Sequence, residues 1–514
     1  MGQGKNVIKA YDYFFNSSYS IQFTIDNAIT DYKMDDMNGK ILFPLVRGHW
    51  VTPSYYQAIL SHAFRTRVYE PIVLLCYNDL PMCHRKSPDN EGVSVCDGCN
   101  FYGNRLLDEF GISPMPLSDI KVENQNFKPH SIDEEIVYRG IRISKFARSS
   151  TRKFFRRYTL DRDNGYQRSV YERFLTSAAK HVDICNQLIE EKELDAVIGF
   201  DPVYDISGAY LAVAKGHEIP TYSVDSGWRD GYILFGKQSQ NKPNKNPHPQ
   251  FTDPELVRDQ LNQPLDQFKI EEIEFIMSER ESGDPSKVPE VPHSDAGTSM
   301  RFGEYDTTVG MFTNLIWDGS LEIETAPFPD VFDWIYTTID YFIDSNEALI
   351  IRTHPVEAIR GTNEPVAAAI RGRYDELPEN IFLIDPSDDV NSYRLMDNID
   401  VGLVYNSTIG LEMAYNNLPV IVGGDTHYRE FGFTYDPDTP EEYIDILGKL
   451  ENLEPKPETN KRARRYAYLL FVQKHIEFPF HLGDVSHDDI KPGNENFDFM
   501  IERILENEPV IRGI

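Results

Sequence analysis

Basic residues are in short supply. Lysine and arginine number 51 against 82 aspartates and glutamates, a net charge of −31, and such a chain is repelled by phosphate backbones, which argues against general nucleic-acid binding. Long apolar runs are missing as well. No uninterrupted stretch reaches the ~20 residues a membrane-spanning helix needs, so a soluble protein is expected. The first residues carry no basic segment followed by an apolar core and a small-residue cleavage site. No secretory signal is therefore read, and the cytoplasm is the expected location, with the inner face of the membrane as the alternative. Cysteine is scarce too, at five residues.

What is present suits a large globular protein. Hydrophobic residues at 40% and aromatics at 12% supply material for cores, and 514 residues are too many for one, so two to three domains are expected. The acidic residues are spread over the whole length, which suits a solvated acidic surface of the kind that tolerates high salt, a halophilic trait. Four of the five cysteines, Cys76, Cys83, Cys96 and Cys99, lie close together, and Cys185 stands apart. Their spacing, C-x6-C-x12-C closing with C-x2-C, is near that of a zinc ribbon and suggests a structural tetrathiolate zinc in a reducing compartment. Buried free thiols, or one disulfide between Cys96 and Cys99, are the alternative.

The apolar pattern alternates strands with helices. In the first half, Lys40 to Val46, Pro71 to Cys76, Ala196 to Phe200 and Pro220 to Val224 read as strands. Helices are expected over Pro53 to Phe64, Tyr171 to Lys192 and Asp205 to Lys215. The second half repeats the grammar, with strands at Thr307 to Thr313, Ala348 to Thr353, Ile381 to Ile384, Ile399 to Tyr405 and Leu418 to Val422. This is an α/β chain of βαβ units, and ligands in such sheets sit outside the carboxyl ends of the strands. That rule points to Asp201 and Tyr204, to Asp225, Ser226 and Gly227, to Asn314 and Asp318 in the loop Leu315 to Ser320, and to His354-Pro355. The helix Ile409 to Tyr415 opens behind Asn406, Ser407 and Thr408, where unpaired amides and the positive end of the helix dipole suit a phosphate. Gly423-Gly424 is expected to let backbone approach a ligand closely. The basic run Arg148 to Arg157 reads as a solvated helix face, or as a surface for an anionic substrate or membrane. The expected layout is an N-terminal domain over 1–250 with a Cys-rich insertion at 76–99, a linker region at 251–300, a second domain over 301–480 and a tail helix in 481–514.

Four segments together carry a resemblance: FTNLIWDGS at Phe312 to Ser320, RTHP at Arg352 to Pro355, NSTIGLE at Asn406 to Glu412, and PVIVGGDTHY at Pro419 to Tyr428. They resemble the capsule polysaccharide biosynthesis group of GT-B glycosyltransferases, whose His-Pro and Ser-Ser/Thr signatures are similar to those of bacterial sialyltransferases. The resemblance implies two Rossmann-like domains facing across a cleft, with C-terminal helices. It further implies sugar transfer, hexosyl or keto-deoxy, from a nucleotide-activated donor to a glycan or lipid-linked acceptor. In that reading His354 touches the donor phosphate and belongs to the catalytic set. Asn314, Asp318, Ser407, Thr408, Glu412 (on ribose), Gly423, Gly424 and Tyr428 surround the donor. His49 and Asp201 are the candidate acceptor bases, and Arg47 and Arg229 the candidate carboxylate clamps. No Asp-x-Asp pair is read as a divalent-ion site of the GT-A kind, so no cofactor is expected for transfer. Two other functions fit the same cleft, a nucleotide-sugar 2-epimerase and a non-catalytic nucleotide-sugar-binding scaffold.

Overall fold

The computed structural model describes residues 37–48, 51–88, 95–229, 231–238, 247–282, 302–303, 305–321, 326–478 and 489–513. In chain order its strands are β1 (Lys40–Val46), β2 (Glu70–Leu75), β3 (Met115–Pro116), β4 (Val137–Tyr138), β5 (Ile141–Arg142), β6 (Ala196–Phe200), β7 (Thr221–Ser226), β8 (Tyr232–Lys237), β9 (Thr308–Phe312), β10 (Ala348–Arg352), β11 (Ile381–Ile384), β12 (Val401–Val404), β13 (Val420–Val422) and β14 (His475–Glu477). Among the described residues they form a seven-stranded sheet in the order β14-β8-β7-β6-β1-β2-β3, a five-stranded sheet in the order β11-β10-β9-β12-β13, and the small hairpin β4-β5. The second sheet is parallel throughout, and so are β7-β6-β1-β2-β3 in the first.

Burial explains why these runs are strands. β6, β10 and β12 are buried at every position, as expected of parallel strands covered on both faces. Alternate residues of the first sheet point to opposite cores. Ile41, Phe43, Ile198 and Phe200 face the helices Val51–Arg65 and Glu495–Leu505, while Leu42, Ile72 and Val197 face Ile143–Phe155, Gly165–Lys192 and Asp205–Gly216. The second sheet divides in the same way between the core built on Trp334 and the core built on Tyr466.

Two boundaries differ from the expected layout. The region 251–300, expected as a linker with a helical stretch from Asp253 to about Ser282, carries the helices Pro254–Asn262 and Gln267–Glu281. Their Val257, Leu261, Ile273, Ile276 and Met277 pack into the core of the second domain. The stretch Gly283 to Thr298 lies outside the described residues. The C-terminal segment, in turn, returns to the first domain. β14 pairs antiparallel with β8, Ile476 opposite Ile233, and Phe497, Met500, Ile501 and Ile504 fill the core under the first sheet. An apolar helix face must be buried somewhere, and the first sheet offers the uncovered side.

If that helix completes the first domain, Met500→Ala opens a cavity in its core. Met500 is 0% exposed, and such truncations cost about 2–5 kcal/mol. Urea unfolding followed by circular dichroism should show a loss of that order, and an unchanged midpoint would place the helix outside the domain.

Candidate functional site

The first side of the site is the carboxyl edge of β6 and β7. Phe200 pairs with Val224 in parallel register, so the next residues, Asp201 and Asp225, stand side by side. Asp201 has φ +50°, a left-handed conformation that aspartate tolerates better than most residues. Its Oδ2 is buried without a hydrogen-bond partner. Asp225 accepts a hydrogen bond from the Ser226 amide at 2.7 Å. Burial pushes the Asp201 carboxyl above its ordinary range, with Lys153 and His248 working against the shift. Burial first, and then the Asp201 charge, push Asp225 up to about 8. The edge therefore keeps a proton between two carboxyl groups at neutral pH.

The opposite side is the carboxyl edge of β9, β10 and β12. In-register pairing of Phe312 with Arg352 and Val404 brings the following loops together, and Asn314 Nδ2 donates to Asn406 Oδ1. The Asn314 Oδ1 is buried with no partner. His354 follows β10, and its Nδ1 accepts from the Val356 amide at 3.2 Å, which leaves the proton of a neutral ring on Nε2. Burial lowers its pKa to about 4, against the pull of Asp318, so the ring is neutral at physiological pH. Arg352 of the same motif is structural: its guanidinium donates to the carbonyls of Asp385 at 2.7 Å and Val390 at 3.0 Å.

The loop after β9 joins the two sides. The Gly319 amide donates to Tyr204 Oη at 3.2 Å, and Lys153 Nζ lies 5.1 Å from the Tyr204 ring and 5.0 Å from the Trp317 ring. Burial lowers the Lys153 pKa, opposed by Asp318 and Asp201. Asp318 thus shares one electrostatic environment with Asp201, Asp225, Lys153, His248 and His354. Lys153 belongs to the basic run, which forms part of the contact between domains. Around it, Tyr158 and Thr159 amides bind Glu364 Oε2 at 2.9 and 2.8 Å, and Asn363 Nδ2 binds the Phe155 carbonyl at 2.8 Å. The sequence signal was there, a cluster of cations in an acidic chain, but its partners are far away in sequence.

Other expected residues are placed differently. Glu412 is 2% exposed, and its Oε1 accepts from Arg280 Nε at 2.8 Å and Nη2 at 2.5 Å. The carboxylate expected on a ribose is thus engaged within the protein. Tyr428 is buried and donates to the Ser407 carbonyl at 2.6 Å, so it holds the Ser407-Thr408 turn in place from inside the fold. A Cβ on Gly410 would lie 2.1 Å from the Tyr428 hydroxyl. A Cβ on Gly423 would lie 2.2 Å from Trp334 Nε1, and one on Gly424 2.8 Å from the Tyr405 carbonyl oxygen. These glycines make room for protein atoms, which corrects the expectation of a close ligand approach. Thr408 makes no side-chain capping bond to its helix, so capping does not account for its hydroxyl.

Arg47 is 6% exposed and hydrogen-bonded to His84, whose Nδ1 lies 3.7 Å from Asp205 Oδ1. Arg229 donates to the Phe471 carbonyl and to Tyr232 Oη, both at 3.2 Å. Both arginines are therefore spent on internal contacts. His49 lies outside the described residues. The cysteines are free; Cys96 and Cys99 sit on the helix Val95–Glu109, and burial pushes the Cys83 thiol up to about 12. Among the described residues no group of three or more His, Cys, Asp or Glu side chains could hold a metal ion. The tetrathiolate expectation does not fit this arrangement. Two Asp-x-Asp pairs that the sequence reading passed over are engaged locally: Asp161 Oδ1 accepts from the Asp163 amide, and Asp436 and Asp438 bind Thr434 and Arg429.

No helix among the described residues is long and apolar enough to cross a membrane. No curated protein matches the chain. Among solved structures, a beta Kdo 2,4 transferase, KpsC, of Thermosulfurimonas dismutans is 15% identical with a TM-score of 0.35, covering 61% of this chain and 87% of its own. A UDP-GlcNAc 2-epimerase from Neisseria meningitidis is 11% identical with a TM-score of 0.29, covering 91% of this chain and 100% of its own. Residues 299–445, which hold Asn314, Asp318, His354 and the Ser407-Thr408 turn, match the family described as "Capsule polysaccharide biosynthesis protein", the group their motifs resemble.

Proposed function

We propose that this protein transfers a sugar from a nucleotide-activated donor to a hydroxyl of a surface polysaccharide or lipid-linked glycan. The observation that carries the reading is that Asp201 and Asp225, at the carboxyl edge of the first sheet, share one electrostatic environment with Asp318 and His354 of the second, the latter two lying in the segment that matches the capsule-biosynthesis family. The donor phosphate rests on the turn at Ser407 and Thr408. As the bond from the anomeric carbon to the phosphate oxygen breaks, its electron pair stays on the phosphate, and the neutral His354 ring donates its Nε2 proton in a hydrogen bond to that charge. The acceptor oxygen forms the new bond to the anomeric carbon. In an inverting transfer its proton passes to Asp201, whose buried Oδ2 is unpaired, while Asp225 remains protonated beside it. Glu412, Gly423, Gly424 and Tyr428 shape the donor side without touching the reacting atoms. No step assigned to these residues calls for a metal ion.

A calorimetric and thermal-shift screen of CMP, UDP and GDP should show selective binding to the folded protein. Binding of none of them would favour the scaffold function, and conversion of a UDP-sugar to its epimer without acceptor would favour the epimerase. Once a donor is found, His354→Ala should cut turnover by about 10²–10³-fold, the usual cost of one lost donor to a developing oxyanion, with the melting temperature little changed. Turnover should also persist in EDTA. Unchanged activity in His354→Ala would remove that residue from the catalytic set.

Asp225 gives a prediction on stability. Its folded pKa, about 8, is above the ordinary aspartate value of ~3.9, so the unfolded chain loses this proton first. Stability therefore falls as pH rises from about 4 through about 8. Asp225→Asn keeps the oxygen that accepts from Ser226 and removes that pH dependence. Its melting temperature relative to the parent protein should improve steadily from pH 5 to pH 8, and a constant difference would contradict the raised pKa.

A further inference from the structure

Arg280 lies in none of the motifs, yet its guanidinium touches a helix of the second domain, a loop of the first and a ring at the second crossing. It sits near the end of the helix Gln267–Glu281, which follows the first crossing between domains. Nε and Nη2 both donate to Glu412 Oε1, at 2.8 and 2.5 Å, on the helix that opens at the Ser407-Thr408 turn. Nη1 donates to the Trp228 carbonyl at 3.4 Å, in the loop that leaves β7 three residues after Asp225. Its cationic face lies 4.6 Å from the centre of the Phe471 ring, at the second crossing. Trp228 is itself fixed: its amide donates to His475 Nε2 at 3.0 Å, and its ring packs against His427, Phe471 and His475.

We infer that Arg280 is a positioning residue that registers the donor-phosphate helix of one domain against the Asp225 acceptor loop of the other. This rests on the transferase reading of the same cleft. The chemistry requires arginine. A planar guanidinium donates along several fixed directions at once, and a lysine ammonium on its flexible stem cannot reach a carboxylate on one domain and a carbonyl on the other in the same geometry. The Glu412 side chain is 2% and the Arg280 side chain 11% exposed, so water does not replace a lost partner freely. Donor binding and chemistry at the anomeric carbon use the second domain alone, whereas transfer also needs the acceptor oxygen at the correct distance. Misregistration therefore harms transfer more than donor binding.

The test compares the full-length protein with Arg280→Lys and with Glu412→Gln, which keeps an Oε1 acceptor and loses the charge. Hydrogen exchange read by mass spectrometry needs no ligand. Arg280→Lys should exchange at least about threefold faster across 226–229 and 409–415 and unchanged across 196–200, with Glu412→Gln moving the same segments less. With the nucleotide that the parent protein binds, the dissociation constant should change less than threefold. With its sugar, kcat for transfer should fall tenfold or more while KM for the donor holds, and hydrolysis of the donor by water should persist. Unchanged exchange in 226–229, or a fall in donor affinity equal to the fall in transfer, overturns the inference. Should Arg280→Lys fail to fold, the same segments and ratios are read in Glu412→Gln. If the parent protein binds none of CMP, UDP and GDP, the transferase reading fails, and the exchange pattern still decides whether Arg280 holds the two segments together.

Discussion

The polypeptide crosses between its two domains twice, and a single ammonium ties the crossings to each other. Lys474, 2% exposed, stands just before β14 and donates to the Pro249 carbonyl and Thr252 Oγ1, both at 2.5 Å, and to the Gln250 carbonyl at 3.4 Å. Burial pulls its pKa down to about 7. Three acceptors for three N–H donors are what make such a burial tolerable, since a buried charge without partners costs several kcal/mol. The consequence is geometric. The segment entering the second domain and the segment leaving it are fixed to each other, so the two carboxyl edges face each other across a defined gap.

The electrostatics of that gap invert those of the surface. A chain with a net charge of −31 turns Lys153 toward Asp201 and Asp318 and places Arg85 and Arg360 close enough to lower its pKa further. Tyr204 lies among them, its phenol pushed far upward by burial and by the Asp318 and Asp201 charges. Carboxyl groups in such a setting do not titrate alike, and neighbouring acids with separated pKa values are how one cleft holds a base and a proton reservoir together. Asp225 keeps its proton because burial first, and then the Asp201 charge one strand away, push its pKa up. His354, buried on the other sheet, stays neutral. The two sides thus differ in protonation, a raised carboxyl pair on one and a neutral imidazole on the other.

Much of this was legible in the sequence, for a definite reason. Apolar runs such as Ala196 to Phe200 and Ala348 to Arg352 are buried at every position, so strand and carboxyl end can be read directly, and Asp201, Asp225 and His354 follow from the rule on strand ends. What escaped depends on contacts remote in sequence. Arg280 and Glu412 are 132 residues apart, and nothing local in either helix announces the pair. The helix Glu495–Leu505 has an ordinary amphipathic pattern that does not say which domain it covers. Lys153 sits in a basic run that looks like a solvated face and is instead an interface. The glycines at 423 and 424 signal a close approach, and sequence alone does not reveal that the approaching groups are Trp334 and Tyr405.

These buried contacts divide the cleft into two braced edges and the relation between them. The turn at Ser407 and Thr408 is braced by Tyr428 on the Ser407 carbonyl and by Asn314 on Asn406. The edge that carries Asp201 and Asp225 is braced by sheet register and by Trp228 in its aromatic pocket. Neither can yield without disturbing a close-packed core. The relation between the domains is set by polar contacts, among them Tyr204 with Gly319, Glu364 with the amides of Tyr158 and Thr159, and Arg280 with Glu412 and Trp228. Two close-packed halves are joined by a small number of directional hydrogen bonds, so the distance between Asp201 and His354 is set only where the halves meet.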